Sequence, residues 1–158
     1  MTHLLDRSAA VLLVIDVQEK INAVITNQGD LPRIEVLIEA CRALEVPVIG
    51  SEQYPKGLGA TVEPLASLLG GTPAAKDTFS CARDTGLREA LAASGCPEVI
   101  VTGIEAHVCV LQTALDLLEL FDITAPVLLA AGDHEIGGQS QYFLDRHIAG
   151  AAHLGHRS

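Results

Sequence analysis

A short apolar run, a tight turn and an amphipathic helix follow one another within residues 97–121, and this succession constrains the fold most. Residues 99–101 (Val-Ile-Val) are typical of a buried strand, and residues 102–105 of a turn. From residue 106 onward, apolar side chains recur every three or four positions, the period of one helical face. The segment therefore predicts a strand, a turn and a helix in that order.

Cys109 falls in the first turn of this predicted helix. Backbone N–H groups there lack intrahelical partners and the helix macrodipole is positive, so a thiolate is stabilised. A cysteine in that position reacts as a nucleophile near neutral pH. We therefore predict that Cys109 is the reactive cysteine, with a thiol pKa below the ordinary value of about 8.5.

Other apolar runs are predicted strands, and segments of helical period separate them. Residues 9–17 form a near-continuous apolar run, typical of a parallel strand buried on both faces. Shorter runs predict strands at 46–50 and 125–131, and helical periods predict helices at 31–44 and 87–93. This alternation, without internal repeats, favours a parallel sheet with helices on both faces, in one domain over residues 1–158.

Three polar residues are predicted at or just beyond strand ends: Asp16, Lys76 and Cys109. Right-handed crossovers bring the carboxyl ends of parallel strands to one edge of a sheet, where ligands bind. We therefore expect the three side chains to lie together. Taken alone, Asp16 fits a helix N-cap equally well, and Lys76 fits an ordinary surface lysine.

Composition and charge bear on location and partners. The formal net charge is −10 and no basic patch is visible, so we expect no nucleic-acid partner. No apolar run approaches the roughly 20 residues that span a membrane, and residues 1–10 lack a signal-peptide core. The four cysteines show no CxxC pairing, which is typical of free thiols in the cytoplasm.

Nucleotide and metal sites are disfavoured by the same inspection. Residues 51–64 are rich in Gly and Pro and predict a long loop, but Gly57-Leu58-Gly59 lacks the GK[ST] of a phosphate loop. A flavodoxin-like nucleotide-binding protein is therefore a distant alternative. The four histidines beyond residue 132 lack an HExxH pattern or tight ligand spacing. We expect neither metal nor cofactor.

Three segments of the chain resemble the signature segments of the isochorismatase-like cysteine hydrolases. They are residues 14–18 (Val-Ile-Asp-Val-Gln), 76–80 (Lys-Asp-Thr-Phe-Ser) and 101–110 (Val-Thr-Gly-Ile-Glu-Ala-His-Val-Cys-Val). Their order and spacing are also those of the family, and the similarity covers about residues 8–130. Residues 51–59 (Ser-Glu-Gln-Tyr-Pro-Lys-Gly-Leu-Gly) resemble the subgroup of isochorismatase domain-containing proteins.

The resemblance implies a fold and a set of roles. The fold is a three-layer α/β/α sandwich with a mainly parallel sheet of five to six strands. The catalytic triad maps onto Asp16 as the base, Lys76 as the positive charge and Cys109 as the nucleophile. Backbone N–H groups of Glu105 and Cys109 would hold the oxyanion, after a non-proline cis peptide at Ile104–Glu105.

Branches of the family differ in ways that this sequence tests. Isochorismatases proper lack the cysteine, so Cys109 disfavours their vinyl-ether hydrolysis. Nicotinamidases bind a metal through histidines that residues 51–54 lack. The remaining interpretation is a metal-independent hydrolase of a small amide or related C–N substrate, acting through a covalent thioester. Predicted pocket residues are Gln18, Tyr54, Phe79 and Ile104, of which the last three fit a simple core role equally well.

The chain from about residue 132 onward departs from the family pattern, which affects a last strand and any oligomer interface built on it. The resemblance implies a homo-oligomer, a dimer or larger. The alternative function is a catalytically silent protein of the same fold that acts as a binding or assembly module. The intact triad favours the hydrolase, and the altered C-terminal part favours the module.

Overall fold

The computed structural model of this chain describes residues 5–25, 30–120 and 128–132. Within them, five parallel strands form one sheet in the order β3-β2-β1-β4-β5. The strands are β1 (Ala10–Ile15), β2 (Val48–Gln53), β3 (Ala74–Lys76), β4 (Glu98–Ile104) and β5 (Leu128–Gly132). The α/β fold with a parallel sheet of at least five strands is therefore confirmed.

Helices cover both faces of the sheet. The α-helices are α1 (Glu19–Asn22), α2 (Asp30–Ala43), α3 (Pro55–Leu58), α4 (Leu65–Leu69), α5 (Thr85–Ser94) and α6 (Leu111–Leu120). A 3₁₀-helix (Cys81–Arg83) precedes α5, and a π-helix (Ala106–Val110) leads directly into α6. Among these described helices, none combines the length and apolar character needed to cross a membrane.

The central strand β1 divides the apolar core into two clusters. Leu13 packs on one face of the sheet with Leu87 of α5 and Leu117 of α6. Leu12 packs on the opposite face with residues of α2 and α4, including Ile38. Successive side chains of a strand point to opposite faces, so a strand buried on both sides must be apolar throughout. All six residues of β1 are buried, as the apolar run 9–17 predicts.

Helix α5 shows how local sequence sets an element's limits. The Asp84 carboxylate accepts a hydrogen bond from the Leu87 N–H at 3.0 Å, which caps the N-terminus. At the other end Gly95 adopts the left-handed conformation, with φ of 66°, that ends many helices. The buried pair Leu87 and Leu91 lies one helical turn apart and faces the core. The helix therefore extends the predicted range of 87–93 at both ends.

Two predicted boundaries near the site are wrong. Strand β2 continues to Gln53, and α3 follows it, so the predicted loop at 51–64 begins as strand and contains a short helix. The helix predicted from residue 106 begins instead with a π-helical turn. The atypical region expected beyond residue 132 lies outside the described residues.

Candidate active site

The strand register aligns the residues that surround Asp16. Ile15, the last residue of β1, pairs with Ser51 of β2 on one side and with Gly103 of β4 on the other. Gly103 has φ of 154°, and a Cβ atom there would overlap the Ile15 carbonyl group. Only glycine lets β4 approach β1 this closely at the carboxyl edge of the sheet. Asp16 follows immediately, with φ of 53°, in a left-handed conformation that aspartate tolerates.

Lys76 ends β3 and reaches Asp16 with its ammonium group. The distance from Lys76 Nζ to Asp16 Oδ2 is 2.7 Å, and both side chains are almost fully buried. The same nitrogen donates to Gln53 Oε1 at 2.6 Å, and to the backbone carbonyls of Thr78 at 3.1 Å and Phe79 at 3.2 Å. Every one of these neighbours is an acceptor, which matches a charged ammonium group. The structure thus brings together two of the three residues predicted to form the triad.

Asp16 receives a second hydrogen bond on its other oxygen. Ser51 Oγ donates to Asp16 Oδ1 at 2.8 Å, in a fully buried contact. The Asp16 N–H donates to the Ser51 carbonyl at 3.1 Å, so backbone and side chain both tie the end of β1 to β2. The carboxylate is therefore fixed in orientation between a lysine and a serine.

Cys109 lies in the π-helix and is 1% exposed. Burial raises the pKa of its thiol to about 12, and the nearby Asp16 charge adds to the rise while Lys76 opposes it. Interaction of the thiol with the Asp16 side chain adds further to this rise. The predicted low thiol pKa is therefore wrong: Cys109 is not in the first turn of an α-helix, and desolvation and the carboxylate outweigh the lysine. The resting pair is a thiol next to a carboxylate.

The backbone at Glu105 turns the chain from β4 into the π-helix. Glu105 has φ of 63° and ψ of 63°, a left-handed conformation that is uncommon for a non-glycine residue. The predicted cis peptide at Ile104–Glu105 is wrong, because among the described residues the cis bond is Glu63–Pro64. The Glu105 carboxylate also raises the pKa of the Cys109 thiol, so this turn lies close to the sulfur.

The four predicted pocket residues fall into two groups. Tyr54 and Phe79 follow β2 and β3 at the site's edge of the sheet, and each is 54% exposed. Gln18 is fully buried. Its side-chain nitrogen donates hydrogen bonds to the backbone carbonyls of Gln53 and Gly59, and its side-chain oxygen accepts one from the Gln53 N–H. Ile104 is also buried and packs in the cluster that contains Ile38. Tyr54 and Phe79 thus lie at the surface, while Gln18 and Ile104 are buried in the interior.

Three residues near the predicted triad, Ser51, Gln53 and Cys81, are absent from the site that the sequence predicts. The sequence predicts that the second strand ends at Gly50, which leaves Ser51 and Gln53 in a loop. Because β2 continues to Gln53, Ser51 lies against Asp16 and Gln53 against Lys76. Cys81 Sγ lies 3.5 Å from Ser51 Oγ and is fully buried. Burial raises the pKa of Cys81 to about 11, with a further contribution from the Asp16 charge.

The other two cysteines, Cys41 and Cys96, are free thiols. Cys41 is buried in the apolar cluster on the α2 face, and burial raises its pKa. Cys96 is half-buried. In the part of the chain that the structure describes, no three His, Cys, Asp or Glu side chains are grouped so that they could hold a metal ion.

The fold and the site together define a class: α/β proteins with a buried carboxylate, a buried ammonium group and a buried thiol at the carboxyl edge of a parallel sheet. Residues 10–124 match the isochorismatase domain family. The chain is also 41% identical over 117 residues to isochorismatase domain-containing protein 2 of Danio rerio. It belongs to the isochorismatase domain family.

The similarity covers 73% of this chain but only 58% of that Danio rerio relative. Among solved structures, the MAR1 ribonuclease of Caenorhabditis elegans is similar with a TM-score of 0.71 and 38% identity, over 81% of this chain and 67% of that one. The YcaC gene product of Escherichia coli, an octameric hydrolase of unknown specificity, has a TM-score of 0.73 at 21% identity. That match covers 81% of this chain and 66% of the other, and at this identity it shows a common fold.

Proposed function

We propose that this protein is a metal-independent cysteine hydrolase of a small amide or related C–N substrate, with Asp16, Lys76 and Cys109 as its triad. The observation that carries the proposal is the buried 2.7 Å ion pair between Lys76 and Asp16, next to a buried thiol. A buried ion pair is on average no more stable than apolar residues of similar volume. Its place beside a nucleophilic group therefore supports a chemical role over a purely structural one.

The thiol pKa of about 12 supports Asp16 as the proton acceptor. At neutral pH Cys109 does not ionise into water, so its sulfur becomes nucleophilic as its proton passes to Asp16. Lys76 opposes the rise in the thiol pKa, and it faces Asp16 throughout. Its charge therefore stabilises whichever partner is negative during the transfer. Lys76 itself gives up no proton in this scheme.

The reaction follows from these positions in two halves. Cys109 Sγ forms a bond to the substrate carbonyl carbon while its proton moves to Asp16, and the carbonyl oxygen becomes an oxyanion. We assign the oxyanion to the backbone N–H groups of Glu105 and Cys109. The C–N bond then breaks, and Asp16 returns the proton to the leaving nitrogen. A thioester remains on Cys109.

Water completes the cycle by attacking the thioester carbonyl carbon. Asp16 takes a proton from this water, and the C–S bond breaks as the acid product forms. The departing sulfur recovers the proton from Asp16, so Cys109 and Asp16 end in their starting states. The mechanism needs one carboxylate that alternates between two protonation states, which matches the buried carboxylate of Asp16 beside the thiol.

The exposed aromatic pair supports a small substrate and a homo-oligomeric assembly. Tyr54 and Phe79 are each 54% exposed at the edge where the triad lies. They are suited to form pocket walls, and a second copy of the chain would cover them. The octameric state of the YcaC gene product, which has the same fold, supports this assembly.

Intact-mass spectrometry after incubation with a panel of small amides tests the hydrolase directly. We expect wild-type protein to gain the mass of one acyl group on Cys109, located by peptide mapping, and to release the amine. The Cys109→Ala variant serves as the matched control and should gain nothing. A wild-type protein that forms no adduct and releases no amine would support the silent binding module.

A second candidate function comes from the 38% identity to the Caenorhabditis elegans ribonuclease. For this chain it would mean phosphodiester cleavage at the same edge. The net charge of −10 disfavours a polyanionic substrate, because binding the phosphate backbone depends on Lys and Arg contacts. Incubation with labelled RNA separates the two functions: cleavage by wild-type protein but not by Asp16→Asn would favour the ribonuclease.

A further inference from the structure

The two oxygens of the Asp16 carboxylate have chemically different partners. Oδ2 accepts from Lys76 Nζ at 2.7 Å, and Oδ1 accepts from Ser51 Oγ at 2.8 Å. An ammonium group can only donate, whereas a hydroxyl group both donates and accepts. When Asp16 takes up a proton, the Ser51 hydroxyl can become an acceptor for it, whereas the Lys76 ammonium group cannot.

Ser51 has a second partner behind the carboxylate. The Cys81 thiol donates to Ser51 Oγ at 3.5 Å. Ser51 is 2% exposed and Cys81 is not exposed at all, so bulk water does not reach this contact. The Cys81 backbone is itself fixed, because its N–H donates to Thr113 Oγ1 at 2.9 Å. Thiol, hydroxyl and carboxylate thus form a continuous buried hydrogen-bonded chain.

We propose that Ser51 and Cys81 are positioning residues that direct the transferred proton to Oδ1 of Asp16. The inference rests on the proposed function of Asp16 as the base. With Asp16 charged, Ser51 donates to Oδ1. Once Oδ1 carries the proton, it donates to Ser51 Oγ, and the hydroxyl turns to donate to Cys81 Sγ, a weak acceptor. The Ser51 O–H bond and the Cys81 S–H bond rotate. Neither residue gains or loses a covalent bond, and Cys81 remains uncharged.

The groups around Asp16 make this arrangement specific. Titratable side chains from three described elements interact with Asp16: Lys76 from β3, Cys109 from the π-helix and Cys81 from the 3₁₀-helix. The Glu105 carboxylate acts on Cys109. Lys76 stays with Oδ2 in both states, so the field of its charge disfavours a proton there. Unlike Lys76, Ser51 can hydrogen-bond the carboxylate in both of its protonation states.

Iodoacetamide alkylation of Cys109 at a series of pH values, followed at the Cys109 peptide by mass spectrometry, tests the proposal. The reaction needs charged Asp16 as the proton acceptor, so its rate falls on the acidic side. Ser51→Ala removes the hydrogen bond in both protonation states of Asp16, but the bond donated to the charged carboxylate is the stronger one, so the charged state loses more. We expect the acidic limb, the pH range over which the alkylation rate falls on acidification, to move upward by about one pH unit in this variant. Ser51→Thr keeps the hydroxyl and should retain the wild-type limb.

A second pair of variants allows the same comparison if Ser51→Ala does not fold. Ser51→Thr and Ser51→Val have nearly the same shape and differ in the hydroxyl group. If Ser51→Ala fails to fold, an upward shift in Ser51→Val but not in Ser51→Thr gives the same support. Equal limbs in folded wild-type protein and in the hydroxyl-free variant would overturn the proposal.

Cys81 is tested by a double-mutant cycle, because it acts through Ser51. Cys81→Ala should move the limb in the same direction as Ser51→Ala, but by less. Adding Cys81→Ala to Ser51→Ala should cause no further shift, and a further shift would remove Cys81 from the proposal. Alkylation requires no turnover: a protein that shows these shifts but hydrolyses no amide would overturn the hydrolase function and leave the positioning of Asp16 standing.

Discussion

Lys76 Nζ and Asp16 Oδ2 lie 2.7 Å apart although the residues are separated by 60 positions in the chain. Strands β3 and β1 are not neighbours, because β2 lies between them. The lysine therefore reaches past the end of β2, where Gln53 accepts another of its hydrogen bonds at 2.6 Å. A long cationic side chain is required to bridge two strand positions, and the interaction links three strands at one edge.

The first prediction concerns the loss of this cation. Lys76→Met leaves Asp16 buried without its charged partner, and breaking a buried ion pair costs about 3–5 kcal/mol. It also removes the positive charge that lowers the Cys109 pKa, so that pKa should rise further. Urea unfolding and Cys109 alkylation rates measure the two effects. Lys56→Met, at an exposed position, is the control and should change neither.

The second prediction concerns the loss of the carboxylate. Asp16→Asn should lower the Cys109 pKa, because the negative charge that raises it is removed. Turnover should nevertheless fall by about 10²–10⁴-fold, since general base catalysis is lost. Thiolate ultraviolet absorbance against pH, together with amide hydrolysis, provides the measurements. Asp77→Asn, at an exposed neighbour of Lys76, is the control, and an unchanged Cys109 pKa in Asp16→Asn would contradict the assignment.

The sequence was sufficient to predict the central strands of the sheet, because burial on both faces leaves a direct signature. The apolar run 9–17 contains β1, and the run 99–101 lies inside β4. Residues that follow such strands meet at one edge, which explains the predicted position of Asp16. Strand β3, which ends at Lys76, has only three residues and leaves no such apolar run. Helix periods located α2 and α5 for the same reason, since one face of each packs on the core.

What the sequence could not predict depends on three-dimensional surroundings. The Cys109 pKa depends on how deeply the sulfur is buried and on which charge is nearest. The π-helical turn at Ala106–Val110 has the same apolar residues as an α-helix, so periodicity does not distinguish the two. Ser51 lies in a Gly- and Pro-rich segment and is polar, so nothing in its neighbourhood marked it as a buried strand residue that contacts Asp16.

The third prediction is a pH dependence of stability at the ion pair of Arg83 and Asp116. Arg83 Nε and Nη2 donate to the two Asp116 oxygens at 2.7 Å and 2.6 Å, which joins the 3₁₀-helix to α6. The hydrogen bonds from Arg83 hold the pKa of Asp116 below its ordinary value of 3.8. The stabilisation is therefore fully present above about pH 3.8 and is lost as the pH falls through the lowered pKa.

Urea unfolding of wild-type protein and Asp116→Asn at several pH values measures this contribution. The two proteins should differ most near neutral pH and converge as the solution is acidified below pH 3.8. The difference should also shrink with added salt, because the Arg83 side chain is 58% exposed and its charge is screened. A difference that persists unchanged at low pH would assign the effect to packing rather than to charge.

The fourth prediction tests the close approach of β4 to β1 beside the site. In Gly103→Ala the added methyl group would overlap the Ile15 carbonyl, and alanine would have to adopt φ of 154°. Backbone strain of this kind and forced displacement of a packed strand each cost about 1–3 kcal/mol. Gly71→Ala is the matched control, since a Cβ there meets nothing within 4 Å. Because Ile15 immediately precedes Asp16, displacement of its carbonyl should also slow Cys109 alkylation in Gly103→Ala. If urea unfolding and alkylation give the same values for both glycine variants, the two strands do not require glycine at this contact.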